Sequence, residues 1–312
     1  MLAEATYVER APEIWTHAHH ARVGGISLTL GSSSPEQLSL GPDLEPFRIE
    51  HCDPDICVSA DWSERLHRFP DEKIFDSGAV WTLSRDHSDF VFDFVSPAVG
   101  MHPYKGMRPY KRLRTDQFFR RAELTLNREA LKNYGVICPL EYPADELLVT
   151  NFLAAASLGV EVHGCGLVDS HAGGQLFLGH SGAGKSTTTR IWETFGNAQI
   201  LSDDRIVLRL DDGELWMYGT PWHGEAAFAS PGKSKIDRIF ILQQGQRNKM
   251  RGLPRAHAAG EVFARCFPPF HSVAGLEGTL DFIQRALDVV PCYEFQFIPD
   301  QSAVKTVLEF HD

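Results

Sequence analysis

Apolar positions recur along this chain in two different rhythms, and the change falls close to residue 141. Between Gly25 and Val95, short apolar runs (Ile26–Leu30, Ile56–Val58, Ala79–Leu83, Phe90–Val95) are separated by Pro, Asp, Ser and Gly. That spacing predicts strands joined by turns, in a meander or a small sandwich. Asp89–Phe94 alternates polar with apolar residues, as a half-buried strand does. Residues 1–24, with His17, His19 and His20, show little periodicity and are expected to form an irregular arm.

Beyond Pro143 the apolar residues of Asp145–Leu158 adopt helical spacing and stop at Gly159. The pattern then predicts strands at Val160–His163, Leu167–Asp169 and Gln175–Gly179, a helix over Lys185–Phe195, and strands at Gln199–Ser202, Ile206–Leu210 and Leu215–Tyr218. Further on it predicts a strand at Ile239–Leu242, a helix over Leu280–Val290, a strand at Tyr293–Ile298 and a helix over Ser302–Phe310. The expected organisation is an α/β domain over 141–312, preceded by a smaller, mostly β domain over 1–140.

A length of 312 residues with 43% apolar and 23% charged residues is enough to bury a sizeable core. A formal net charge of −11 argues against a broad nucleic-acid surface, because duplex affinity comes from cations set against phosphates. It leaves room for a nucleotide held by backbone N–H groups. The acidic chain has one basic stretch, residues 104–121, with seven Lys or Arg against one Asp. It reads either as a solvated face or as a dock for an acidic peptide or substrate. The first residues lack a basic segment followed by an apolar one, and the most apolar stretch, Phe152–Val162, contains Ser157 and Glu161 and is shorter than a bilayer span. Six scattered cysteines make no disulfide framework. The expectation is a cytoplasmic protein with neither a membrane nor a nucleic-acid partner.

The chemistry enters at Gly179-His180-Ser181-Gly182-Ala183-Gly184-Lys185-Ser186, which fits G-x-x-x-x-G-K-[ST] between a predicted strand and a predicted helix. Glycines let the backbone turn tightly against a polyphosphate, so that successive N–H groups and the helix N-terminus face the anion. In this reading Lys185 reaches the β- and γ-phosphates of ATP, the Ser186 hydroxyl ligates Mg²⁺, and Thr187 caps the first helical turn. Such an enzyme also needs a carboxylate beside the phosphates. Asp203-Asp204 follows the strand Gln199–Ser202, and Asp203 lies eighteen residues after Lys185. A strand–helix–strand unit of that length is expected to return the pair next to the loop.

His163-Gly164, a strand, a Gly-flanked turn, Ser-Gly-x-Gly-Lys-Ser and Asp-Asp together resemble the catalytic domain of HPr kinase/phosphorylase, over about Val160 to Arg205. This is a serine kinase with a P-loop fold related to phosphoenolpyruvate carboxykinase. The resemblance implies that His163 helps hold the phosphate region, that Lys185 binds phosphates, and that Asp203, with Asp204 beside it, is the general base toward an acceptor serine. It also implies Mg²⁺ at Ser186 and Asp203, and a homo-oligomeric assembly. The family's Arg-Gly-rich signature is replaced here by Gly219–Glu225, where Glu225 is a candidate metal ligand and His223 a candidate substrate contact; a tight loop with an aromatic plug fits equally. The implied activity is ATP-dependent phosphorylation of a hydroxyl on a peptide, small protein or serine-like small molecule. The alternative is a nucleotide-gated binding protein or slow ATPase in a peptide-maturation cassette. Arg238, Arg247 and Arg251 are candidate cations for the transferred phosphoryl group.

Overall fold

The computed structural model describes residues 15–66, 72–96 and 108–310. Residues 1–14 of the expected arm and 104–107 of the basic stretch lie outside them.

The N-terminal strands are β1 (His17–Val23), β2 (Ile26–Ser32), β3 (Arg48–Ile49), β4 (Ile56–Ser63), β5 (Lys73–Asp76), β6 (Trp81–Asp86), β7 (Asp89–Phe94), β8 (Lys111–Thr115) and β9 (Arg121–Asn127). They form one nine-stranded sheet in the order β3-β1-β2-β4-β9-β8-β7-β6-β5. The sheet is mixed rather than a simple meander, because β2–β4 and β4–β9 pair in parallel. Residues 17–23, expected in an irregular arm, instead form β1, hydrogen-bonded along its length to β2. His20 Nδ1 lies 2.8 Å from Thr29 Oγ1, so polar side chains on this strand find cross-strand partners rather than an apolar core.

The basic stretch is largely consumed by the same sheet. Arg112 pairs with Asp93 at 2.6 Å, and Arg114 with Asp89 at 2.8 Å and Asp86 at 2.6 Å. Lys111 is fully buried, with Nζ 3.0 Å from the Pro139 carbonyl oxygen. The Arg112 and Arg114 pairs are cross-strand bonds, and with Lys111 they commit three of the six described Lys and Arg of this stretch to partners within the fold.

Two helices follow, α1 (Arg128–Leu131) and α2 (Ala144–Ala155). Helix α2 comes after residue 141, yet it buries Leu148, Val149, Phe152 and Leu153 in the core of the N-terminal sheet. Trp222, from far along the chain, joins that core, so the two halves share packed apolar surface.

The second sheet contains β10 (Gly159–Asp169), β11 (Gly173–Leu178), β12 (Ala198–Ser202), β13 (Arg205–Asp211), β14 (Glu214–Gly219), β15 (Lys233–Lys235), β16 (Arg238–Gln244), β17 (Lys249–Gly252) and β18 (Cys292–Phe297). Its order is β15-β14-β13-β10-β11-β16-β18-β17, with β12 paired to β10. The two short strands expected at 160–163 and 167–169 are one long strand, β10. Helices α3 (Lys185–Phe195) and α6 (Gln301–Glu309) cover one face, and α4 (Arg255–Phe263) and α5 (Val273–Val289) the other. Leu176 and Leu178 therefore face α4 and α5, while Phe177 between them faces Trp192 of α3. Burial on both faces explains why β11 and β16 read as unbroken apolar runs. The chain is thus of mixed α/β class, with two large mixed sheets. No helix of the described residues is long and apolar enough to cross a membrane.

Candidate functional site

Strand β11 ends at Leu178, and the chain turns through 179–184 into α3, whose first residue is Lys185. Gly184 sits at the cap position with φ of 105°, and a Cβ there would lie 2.6 Å from the Phe297 ring. Only glycine satisfies both conditions. The cap carries no side-chain hydrogen bond, so Thr187, expected to cap the turn, does not do so. The first-turn N–H groups of Lys185, Ser186 and Thr187 meet no protein acceptor among the described residues. They point out of a helix N-terminus, where partial positive charge accumulates. Gln244, at the end of β16, steadies the apex by donating from Nε2 to the Gly182 carbonyl oxygen at 2.8 Å.

Lys185 folds back over this loop. Its Nζ donates to the carbonyl oxygens of Gly179 at 3.1 Å and His180 at 3.2 Å. Burial lowers its pKa, and Asp204 is the nearest-acting charge opposing that shift. Every expected loop residue therefore lies in one turn: Gly179 buried at its foot, His180, Ser181 and Gly182 exposed at its rim, Ala183 and Gly184 leading to Lys185, Ser186 and Thr187. These residues fit a polyphosphate: the glycines at 179, 182 and 184 put no side chain in the way of the backbone, and the Ser186 hydroxyl at the edge would be the one to reach Mg²⁺.

The acidic pair arrives by an unexpected route. Strands β12 and β13 run end to end along one edge of β10, antiparallel to it, while β11 occupies the other edge. Asp203-Asp204 is the junction between β12 and β13, two strands from the phosphate loop rather than on a direct neighbour. One peptide unit bridges the gap. The His163 carbonyl oxygen accepts from the Gly179 N–H at 3.3 Å, and the Gly164 N–H donates to the Asp204 carbonyl oxygen at 3.0 Å.

The two aspartates then part company at the bend between the strands, and their side chains take different partners. Asp203, expected as the general base and a metal ligand, is wholly buried and accepts from the N–H groups of Gly224 at 2.9 Å, Ala226 at 2.9 Å and Phe228 at 3.3 Å. Its carboxylate ties down the 219–229 loop. Asp204 is the one that meets His163, whose Nε2 lies 2.9 Å from Oδ1, and its Oδ2 contacts Arg205 Nη1. Burial would raise the Asp204 pKa, but the His163 hydrogen bond and the Arg205 charge outweigh it and hold the carboxyl below its usual range.

Arg205, which sequence reasoning passed over although it follows the acidic pair, organises this corner. Its Nε lies 3.2 Å from both Glu146 and Glu161, and its guanidinium stacks 4.2 Å from the Phe267 ring centroid. Burial, then the neighbouring Glu146, push the pKa of the fully buried Glu161 well up. Arg265 was missed as well. It is 5% exposed, its Nε has no hydrogen-bond partner, and its charge lowers the pKa of His180 in the loop. Of the three expected cations, Arg238 donates to the Val307 carbonyl oxygen, Arg251 pairs with Glu294 at 3.3 Å, and Arg247 is exposed.

Beside Asp204 and Arg205 opens a cleft of about 410 Å³, walled by Leu40–Leu44 and Cys138–Tyr142 on one side and Pro221–His223 on the other. Trp222 is the aromatic plug, its Nε1 donating to Asp145 at 2.7 Å. Burial raises the Asp145 pKa to about 7. Glu225 is exposed on the loop that Asp203 anchors, and no group of three or more His, Cys, Asp or Glu among the described residues is placed to hold a metal by itself. Any Mg²⁺ here would rely on phosphate oxygens together with Ser186 and a single carboxylate. No protein-family model matches the sequence, and no curated protein does.

Proposed function

We propose that this protein is an ATP-dependent phosphotransferase that moves the γ-phosphoryl group to a hydroxyl, of the serine type, held in the cleft beside Asp204. The observation that carries the reading is a bare-amide loop with Lys185 and, one peptide unit away, an Asp204 that lines a cleft and is hydrogen-bonded to His163. Lys185 exchanges its two carbonyl partners for phosphate oxygens, and the free N–H groups of 185–187 hold the remaining charge. Bound Mg²⁺ would supply further neutralisation of the phosphates, with Ser186 as its protein ligand.

Asp204, rather than Asp203, takes the base role. Its carboxylate accepts the proton of the acceptor hydroxyl as the new O–P bond forms and the bond to the ADP oxygen breaks. His163, in the tautomer protonated at Nε2, and Arg205 fix the orientation of that carboxylate. Asp203 keeps a supporting role by holding the 219–229 loop.

The test is transfer of labelled phosphate from ATP to free serine, threonine and a panel of serine-containing peptides, in the parent, Asp204→Asn and Asp203→Asn proteins. Asp204→Asn should lose transfer at least 100-fold while calorimetry still detects Mg·ATP binding. Full transfer by Asp204→Asn, or no heat on adding Mg·ATP to the parent, would sink the reading. Nucleotide binding without transfer to any acceptor would favour the nucleotide-gated binder instead.

A further inference from the structure

A second cavity, of about 650 Å³, lies where the β1–β2 turn meets β13, β14 and β15. Four cations line it, Arg22, Arg48, Arg209 and Lys233. Many cations elsewhere in this acidic chain are set against carboxylates, as Arg112 on Asp93 and Arg265 on Glu261 illustrate. Here three of the four have no carboxylate within 4 Å among the described residues. Arg22 meets only Ser27 Oγ, at 3.4 Å from its Nε. Arg209 donates to the Gly24 carbonyl oxygen at 3.4 Å and lies 5.7 Å from the Tyr218 ring centroid. Lys233 sits over the rings of Trp216 at 4.5 Å and Tyr218 at 5.6 Å. Arg48 is held by Glu45 through its Nε and Nη2. The other nearby acid, Asp55, is engaged by the Ser27 N–H at 2.8 Å.

The turn itself is shaped to leave the space open. Gly25 has φ of 75°, and a Cβ there would come within 2.5 Å of Arg209 Nη1 and 3.1 Å of the Tyr218 ring. Any larger residue would fill the cavity floor and displace the arginine. Rings beneath Arg209 and Lys233 hold these heads in place without neutralising them, which is what a site built for an incoming anion requires. The cavity volume is in the range of small-molecule sites. Arg209 is four residues along β13 from Arg205, roughly 13 Å at strand rise, so an anion here would not occupy the phosphate loop.

We propose that this cavity binds a small polyanion, a phosphate ester or a compound with two or three carboxylates, independently of the phosphate loop and of the phosphotransferase reading. The experiment titrates the full chain, in low salt, with inorganic pyrophosphate and separately with citrate, by calorimetry. Parent, Lys185→Ala, Arg209→Gln/Lys233→Gln and the combined triple variant are compared, with circular dichroism verifying that each is folded.

A saturable event should survive Lys185→Ala, weaken at least tenfold with Arg209→Gln/Lys233→Gln, and fade as salt rises. Pyrophosphate alone binding would assign a phosphate ester. Citrate binding as well would assign a ligand recognised by its carboxylates. Absence of any Lys185-independent binding, or binding that the double variant leaves unchanged, would overturn the proposal.

Discussion

Two buried lysines, one in each half of the molecule, show what separates architecture from chemistry here. Lys111 in the N-terminal sheet is 0% exposed and Lys185 in the phosphate loop 6%, and burial lowers the pKa of both. Both bond backbone carbonyl oxygens. Lys111 also has a carboxylate, Glu141, at 3.5 Å, and lies 4.9 Å from the Phe94 ring centroid and 5.6 Å from that of Tyr110. Its needs are met inside the fold. Among the described residues, Lys185 has no carboxylate within bonding distance; its partners there are two carbonyls of its own loop, beside a row of unused N–H groups. A buried ammonium with its counter-charge supplied is a structural element, whereas one whose counter-charge is missing awaits an anion.

The strongest way to break this contrast is Lys111→Ala. It leaves a cavity and orphans the carbonyls it serves, so unfolding free energy should fall by about 4 kcal/mol. A urea melt measures it, and the folded fraction should keep its Mg·ATP affinity. Lys185→Ala should do the reverse. Mg·ATP binding by calorimetry should weaken about 100-fold, roughly 3 kcal/mol, while the urea midpoint moves little. Equal stability losses in the two variants would dissolve the distinction.

Asp203→Ala sharpens the same contrast within the acidic pair. Three N–H groups lose their acceptor, and about 2 kcal/mol of stability should go with them, with the 219–229 loop gaining hydrogen exchange first. The effect that is smallest at any one step of pH concerns Asp145. Its folded pKa of about 7 exceeds the unfolded value near 3.8, so the native state binds the extra proton between those limits. Stability should therefore fall as pH rises from about 4 to 7, by up to about 1 kcal/mol per pH unit. Asp145→Asn, read by urea midpoints at pH 5 and pH 7, should flatten that slope.

What could be read from the sequence follows the range of the forces involved. The strand–loop–helix around Lys185 was legible because its signals are local, and α3 spans Lys185–Phe195 as the pattern predicts. Strand β1 was not: its histidines mask the alternation, and its order comes from pairing with β2 and β3. Nor does Asp-Asp reveal which carboxylate faces the cleft, since that depends on how β12 and β13 lie along β10. The Trp222–Asp145 bond joins residues 77 apart in the chain and has no local signature. The burial of Arg265 likewise has no local signature in the sequence.

The peptide unit between His163 and Gly164 works as a spacer bar between two tools. With one end clamped to the foot of the phosphate loop and the other to the backbone of Asp204, a shift of β10 carries both along together. In the proposed reaction, the nucleotide and acceptor stations should keep a fixed separation. Adjustment to different acceptors then falls to the cleft walls at 40–44 and 221–223, outside the bar.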